Sequence, residues 1–136
     1  MSAFDYFVGK LQCPECGEIS PADETTDMQT KIQRNSNMID LGVGDKVELD
    51  QDIESCGYRC YQEHKSNSLK VIESWVCPSC DKPYNFALIT IEDSRIVEVV
   101  GIELTELAIR SANYIFEECS LMGWHVSIGK VDFREI

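Results

Sequence analysis

The chain has 136 residues, 43% of them hydrophobic and 26% charged, which fits one globular domain spanning 1–136 and excludes a disordered or fibrous chain. Its apolar runs, such as Phe86-Ala87-Leu88-Ile89, fall far short of the roughly 20 residues a membrane helix needs. A net charge of −12, from 24 acidic and 12 basic residues, repels phosphate backbones; Lys31/Arg34, Lys65/Lys70 and Lys130/Arg134 are scattered pairs, so direct nucleic-acid binding is not expected.

The opening Met1-Ser2-Ala3-Phe4-Asp5-Tyr6 has neither a basic region nor a long apolar stretch, and a cytoplasmic location is the expectation. Residues 4–12 predict a strand. Residues 18–26, with Ser20-Pro21 and several acids, predict a loop. Residues 28–33 alternate in character and predict a second strand, and 41–49 predict a tight turn at Gly44-Asp45 entering a short strand. Residues 50–68 are polar and show no period. Residues 69–76 predict another strand.

Residues 84–91 and 96–100 are rich in β-branched side chains and flank Glu92-Asp93-Ser94-Arg95, which predicts a hairpin. Both of its faces are partly apolar, so something must cover the sheet. The expected cover is a helix over about 105–122. Thr105 would cap it, Ala108, Ala112, Ile115, Phe116, Cys119 and Met122 would form its apolar stripe, and Gly123 would end it. Residues 124–133 alternate again and suggest a last strand. The sum is an α+β fold: a mainly antiparallel sheet covered by one C-terminal helix.

Seven cysteines would suggest disulfides in a secreted chain. The odd count and two Cys-Pro-x-Cys units argue instead for reduced thiols and a metal. Cys13-Pro14-Glu15-Cys16-Gly17 and Cys77-Pro78-Ser79-Cys80 each form a knuckle whose two intervening residues let both sulfurs reach one ion. The N–H groups of such a turn point at the thiolates and offset their charge. Together the pairs supply four soft ligands to one structural Zn²⁺ and close its coordination sphere, leaving no position for a reactive water. A rubredoxin-type iron site uses the same ligands, and two separate cysteine pairs are the remaining alternative.

Cys56-Gly57-Tyr58-Arg59-Cys60 followed by His64 is a weaker pattern for a second metal, with Cys119 or His125 as a further ligand. The plainer reading makes these core thiols and packed or solvated imidazoles. No nucleophile motif, phosphate loop or carboxylate pair is present, and a non-enzymatic protein is expected. Acidic residues gather at Glu15, Glu18, Asp23, Glu24 and Asp27, and again at Asp45, Glu48, Asp50, Asp52 and Glu54. Asp45, Glu48, Asp50 and Asp52 are the candidate contacts for a basic protein partner.

Over residues 4–100 the chain resembles small zinc-ribbon proteins of bacteria and phages. The resemblance rests on Phe4-Asp5, the two knuckles, Gln29-Thr30-Lys31, Val43-Gly44-Asp45-Lys46-Val47, Trp75-Val76 before the second knuckle, and the hairpin over 89–99. It departs from that pattern at Asp81, where a glycine is usual, and at 56–68, which reads as an insertion. The resemblance implies a zinc-ribbon-like sheet with a long insertion between the knuckles. Members of such groups often lie beside toxin genes as immunity proteins, which implies an acidic protein that neutralises a basic toxin domain by binding it. The alternatives are a ribbon adaptor docking on transcription or translation machinery and, third, a rubredoxin-like redox protein.

Overall fold

The computed structural model describes residues 4–20, 28–65 and 67–135. In chain order the strands are β1 (Asp5–Phe7), β2 (Leu11–Gln12), β3 (Ile19–Ser20), β4 (Met28–Thr30), β5 (Asp40–Leu41), β6 (Tyr58–Cys60), β7 (Ser68–Trp75), β8 (Asn85–Glu92) and β9 (Arg95–Ile102). Helix α1 (Glu106–Ser111) follows, then β10 (Tyr114–Phe116), β11 (Trp124–Ser127) and β12 (Lys130–Phe133). The fold is α+β and mostly strand.

A five-stranded sheet in the order β6-β10-β7-β8-β9 forms the centre. β7, β8 and β9 are a continuous antiparallel meander. The hairpin expected between β8 and β9 is present. Asp93 and Ser94 both have positive φ, +50° and +63°, as a two-residue turn matched to strand twist requires.

Alternation along β7 and β8 assigns the two faces. Leu69, Val71 and Trp75, with Ala87, Ile89 and Ile91, pack with Phe7, Leu11, Met28, Ile32 and Leu41 from the N-terminal region. That region includes a small sheet ordered β4-β1-β5. Ile72 and Phe86 on the other face pack with Ile109, Ala112, Cys119 and Val131. The sheet is covered on both sides, and each fully buried aliphatic contributes on the order of 1.5–3 kcal/mol.

The strand expected over 4–12 is broken between β1 and β2. Gly9 crosses β9 so closely that a Cβ would lie 2.6 Å from Val99 Cγ1. That approach redirects the chain from the small sheet into the β2–β3 hairpin. The loop expected over 18–26 begins with β3, and its remainder, including Asp23 and Glu24, lies outside the described residues, as does Asp27. The strand expected after Gly44-Asp45 is reduced to isolated bridges, Lys46 to Arg95 and Gln33 to Leu49.

The helix expected over about 105–122 is not one helix. Both predicted ends hold: the Thr105 side chain accepts from Ala108 N, and Gly123 closes the segment with φ +93°. Between them α1 stops at Ser111, Ala112 turns extended (φ −98°, ψ 162°), and a 3-10 helix occupies Glu117–Met122. β10 separates the two helices and inserts between β6 and β7, antiparallel to the first and parallel to the second. Asn113 starts this change. Its Oδ1 accepts from Lys70 N at 2.8 Å and its own N–H donates to Lys70 O at 2.8 Å, docking the chain onto β7. Residues 105–133 therefore supply one strand of the central sheet as well as its cover. Among the described residues no helix is long and apolar enough to cross a membrane.

Candidate metal centre

The two knuckles occupy two hairpin loops that face each other. Cys13 and Cys16 lie between β2 and β3; Cys77 and Cys80 lie between β7 and β8. Each loop repeats the same backbone bonds. Cys13 N donates to Glu18 O at 2.9 Å and Cys77 N to Lys82 O at 3.1 Å; Gly17 N donates to Cys13 O and Asp81 N to Cys77 O, both at 2.9 Å. Closing such a turn requires a left-handed residue. Gly17 supplies it with φ +76° and Asp81 with φ +59°, so the missing second glycine leaves the turn intact. Aspartate tolerates this conformation better than most side chains.

The four sulfurs lie within 4.8 Å of one another. The close contacts run crosswise, Cys13 Sγ to Cys80 Sγ and Cys16 Sγ to Cys77 Sγ, each 3.7 Å. A disulfide would need about 2.05 Å. A tetrahedral ion with metal–sulfur bonds of about 2.3 Å places its ligand sulfurs about 3.8 Å apart. Cys13 and Cys77 are buried while Cys16 and Cys80 are exposed, so the site sits at the surface with its inner half in the core.

The electrostatics of the cluster are compatible with a bound cation. The Cys16 N–H donates to Cys13 and, against the cost of desolvation, draws that thiol down to about 7. The Lys82 N–H acts likewise on Cys80, but desolvation and the three neighbouring thiols outweigh it and push Cys80 up to about 12. A thiolate at Cys13 forms readily and holds Cys16 and Cys80 in the thiol form. A divalent ion removes that conflict, because bound cysteines are deprotonated together.

Cys56, Cys60 and His64 do not assemble. Cys56 ends a 3-10 turn, Ile53–Cys56, before Gly57; Cys60 is buried on β6; and His64 Nδ1 lies 2.8 Å from Tyr114 Oη. Cys119 is buried in the core beside Ile109. Among the described residues, Cys13, Cys16, Cys77 and Cys80 are the group of three or more ligating side chains close enough to share an ion. Of the candidate contact residues, Asp45, Glu48 and Asp52 are exposed and Asp50 is half-buried. Two also hold turns: Asp45 Oδ2 accepts from Gly42 N at 2.7 Å, and Asp50 Oδ1 from Asp52 N at 2.9 Å.

A buried polar chain went unread in the sequence. Ile32 N donates to Thr30 Oγ1 at 3.1 Å, the Thr30 hydroxyl lies 2.7 Å from Tyr58 Oη, and Tyr58 donates to Glu73 Oε1. It ties β4 to β6 and β7 through the core. Burial raises the Glu73 carboxyl well above the usual range, against the pull of the Tyr58 bond. The alternation of Leu69, Val71 and Trp75 was the available signal, since Glu73 shares their face.

No family model, curated protein or solved structure matches the chain.

Proposed function

We propose that this protein is a non-enzymatic, zinc-stabilised acidic binding protein of zinc-ribbon type, acting as an immunity protein that neutralises a basic toxin domain by direct contact. The zinc-stabilised, non-hydrolytic part of this reading rests on the crosswise four-sulfur cluster. Its ligands complete a tetrahedron, so the ion organises two hairpin loops and offers no open position for hydrolytic chemistry. Four thiolates around Zn²⁺ also add a net charge of about −2 to a chain already at −12.

The acidic surface supports the binding role. Asp45, Glu48 and Asp52 are exposed, and neither ion pair Arg59–Glu117 nor Arg110–Glu106 draws on the 45–54 stretch. Long-range attraction toward a basic partner then raises the association rate more than it slows dissociation. The test is a kinetic binding measurement against the protein that co-purifies from the native host. The reading expects association to slow markedly as salt rises to physiological strength, where the Debye length is about 8 Å. A salt-independent on-rate, or an acidic partner held through apolar residues such as Trp124, contradicts it. Metal analysis separates the redox alternative, which requires iron.

A further inference from the structure

We infer that the partner binds by adding an extended, basic strand to the free edge of β9. The inference rests on the basic-partner reading and names the surface and the mode of contact. β9 is the last strand of the central sheet. The chain itself already pairs with the start of this edge. Gly44 N donates to Ile96 O at 2.7 Å, Ile96 N to Asp45 O at 3.0 Å, and Val47 N to Ser94 O at 2.8 Å. The start of the edge is therefore accessible to a pairing strand, and its register shifts at Val97, which lies between the pairs Ile91–Ile96 and Thr90–Glu98. The pairing segment leaves at that point, and among the described residues 97–102 form strand pairs with β8 alone.

Beyond Ile96 the edge continues as Val97-Glu98-Val99-Val100-Gly101-Ile102. Val97 is 46% exposed and Val100 39%. Protected edges often carry lysine or proline; residues 97–102 have neither, and the bulge at Val97 leaves 98–102 as the regular part of the edge. Strand addition at such an edge draws affinity from main-chain bonds and specificity from alternate side chains.

Charge selects the occupant. Asp45 stands where the chain's own pairing ends, and Glu98 is the one charge within 97–102. A second copy would bring another −12 to this edge, whereas a lysine or arginine on an incoming strand meets Glu98, beyond the Lys46 to Arg95 bridge where Asp45 is balanced by two bases. Farther along, Val100, Gly101 and Ile102 form one wall of a groove of about 1090 Å³ that also holds Tyr84, Phe86, Trp124 and Phe133. Lys10, Lys82 and Glu103 line that groove as well, but its aromatic walls suit an uncharged apolar side chain at this end of the incoming strand.

The test uses the full zinc-loaded chain and two eight-residue peptides. One alternates lysine with valine and ends in tryptophan. The other has the same sequence with alternate backbone nitrogens methylated, which keeps the charge and removes the strand donors. Backbone amide shifts and hydrogen exchange are followed by NMR. The plain peptide is expected to slow exchange at alternate amides within 97–102 and to bind at least about tenfold more tightly than the methylated one. Glu98→Lys is expected to weaken the plain peptide while leaving the peptide-free spectrum folded. Equal binding of both peptides, with shifts confined to 45–52, overturns edge pairing and leaves the basic-partner reading standing. Protection of 97–102 without peptide, growing with protein concentration, assigns the edge to a second copy and overturns the proposal. Failure of both peptides overturns it too, and poly-lysine at low salt then decides the broader reading, which falls if poly-lysine also fails to bind.

Discussion

The Cys13 thiol lies 3.7 Å from the Cys80 thiol although 67 positions separate them in the chain. Each therefore depends on the other hairpin being folded. A metal bound there and closure of the N-terminal region onto β7 and β8 would in this way form one equilibrium. Cys13→Ser or Cys80→Ser is expected to lower stability by more than about 3 kcal/mol, a large share of a small domain's total, and to lose the metal. Cys56→Ala and Cys60→Ala should keep it in full. Denaturant unfolding with metal analysis on each variant checks this, and equal metal loss from the second pair contradicts it.

Removing residues 105–136 should abolish folding rather than expose a stable sheet. The deletion takes away β10, which lies between β6 and β7, together with Ile109 and Cys119 of the second core. The fragment ending at Leu104 is expected to aggregate, and a soluble fragment with dispersed NMR signals would show that β10 is dispensable.

The difference between those two cases shows what the residues disclose by themselves. Knuckles are local objects: two residues between cysteines fix the turn, so the four-cysteine cluster was legible, and so was the β8–β9 hairpin from its β-branched arms. Thr105 and Gly123 were also legible as caps, because capping is local. The segment between them was not. Ala112, Ile115 and Cys119 fit a helical stripe, yet β10 exists because β6 and β7 leave a gap that Tyr114-Ile115-Phe116 fills. Only the residues following Asn113, a run favourable to strands, hinted at it. Residues 50–68 stayed unread because their order comes from long-range partners such as Tyr58 with Glu73.

Glu73 gives a pH signature. Its folded pKa is raised by burial, so the folded chain holds a proton that the unfolded chain releases above the ordinary glutamate value of about 4.3. Its contribution is full below that value and is lost as pH rises toward the folded pKa. Glu73→Gln keeps an acceptor for Tyr58 and removes the titration. The variant should gain stability relative to wild type as pH rises from about 6, where thiolates remain metal-bound. Thermal unfolding across that range reads the difference, and a stability of variant minus wild type that stays flat or falls as pH rises refutes it. Glu73→Ala leaves Tyr58 without its acceptor and should cost about 1–3 kcal/mol.

Neutralising the acidic stretch must respect its turns. Asp45→Asn and Asp50→Asn retain the acceptors for Gly42 and Asp52, and Glu48→Gln and Asp52→Asn complete the set. The quadruple variant should keep its fold and metal, while association with a basic partner slows more than dissociation quickens. Stopped-flow or surface-based kinetics at several salt concentrations measures both rates. An unchanged on-rate would place the contact elsewhere.

Elemental analysis of the purified chain, colourless or coloured, tests the central claim most directly. The account predicts one zinc per chain, retained on dilution, and unfolding when a strong chelator removes it. Iron with visible charge-transfer bands, or a metal-free chain that is stably folded, would contradict it.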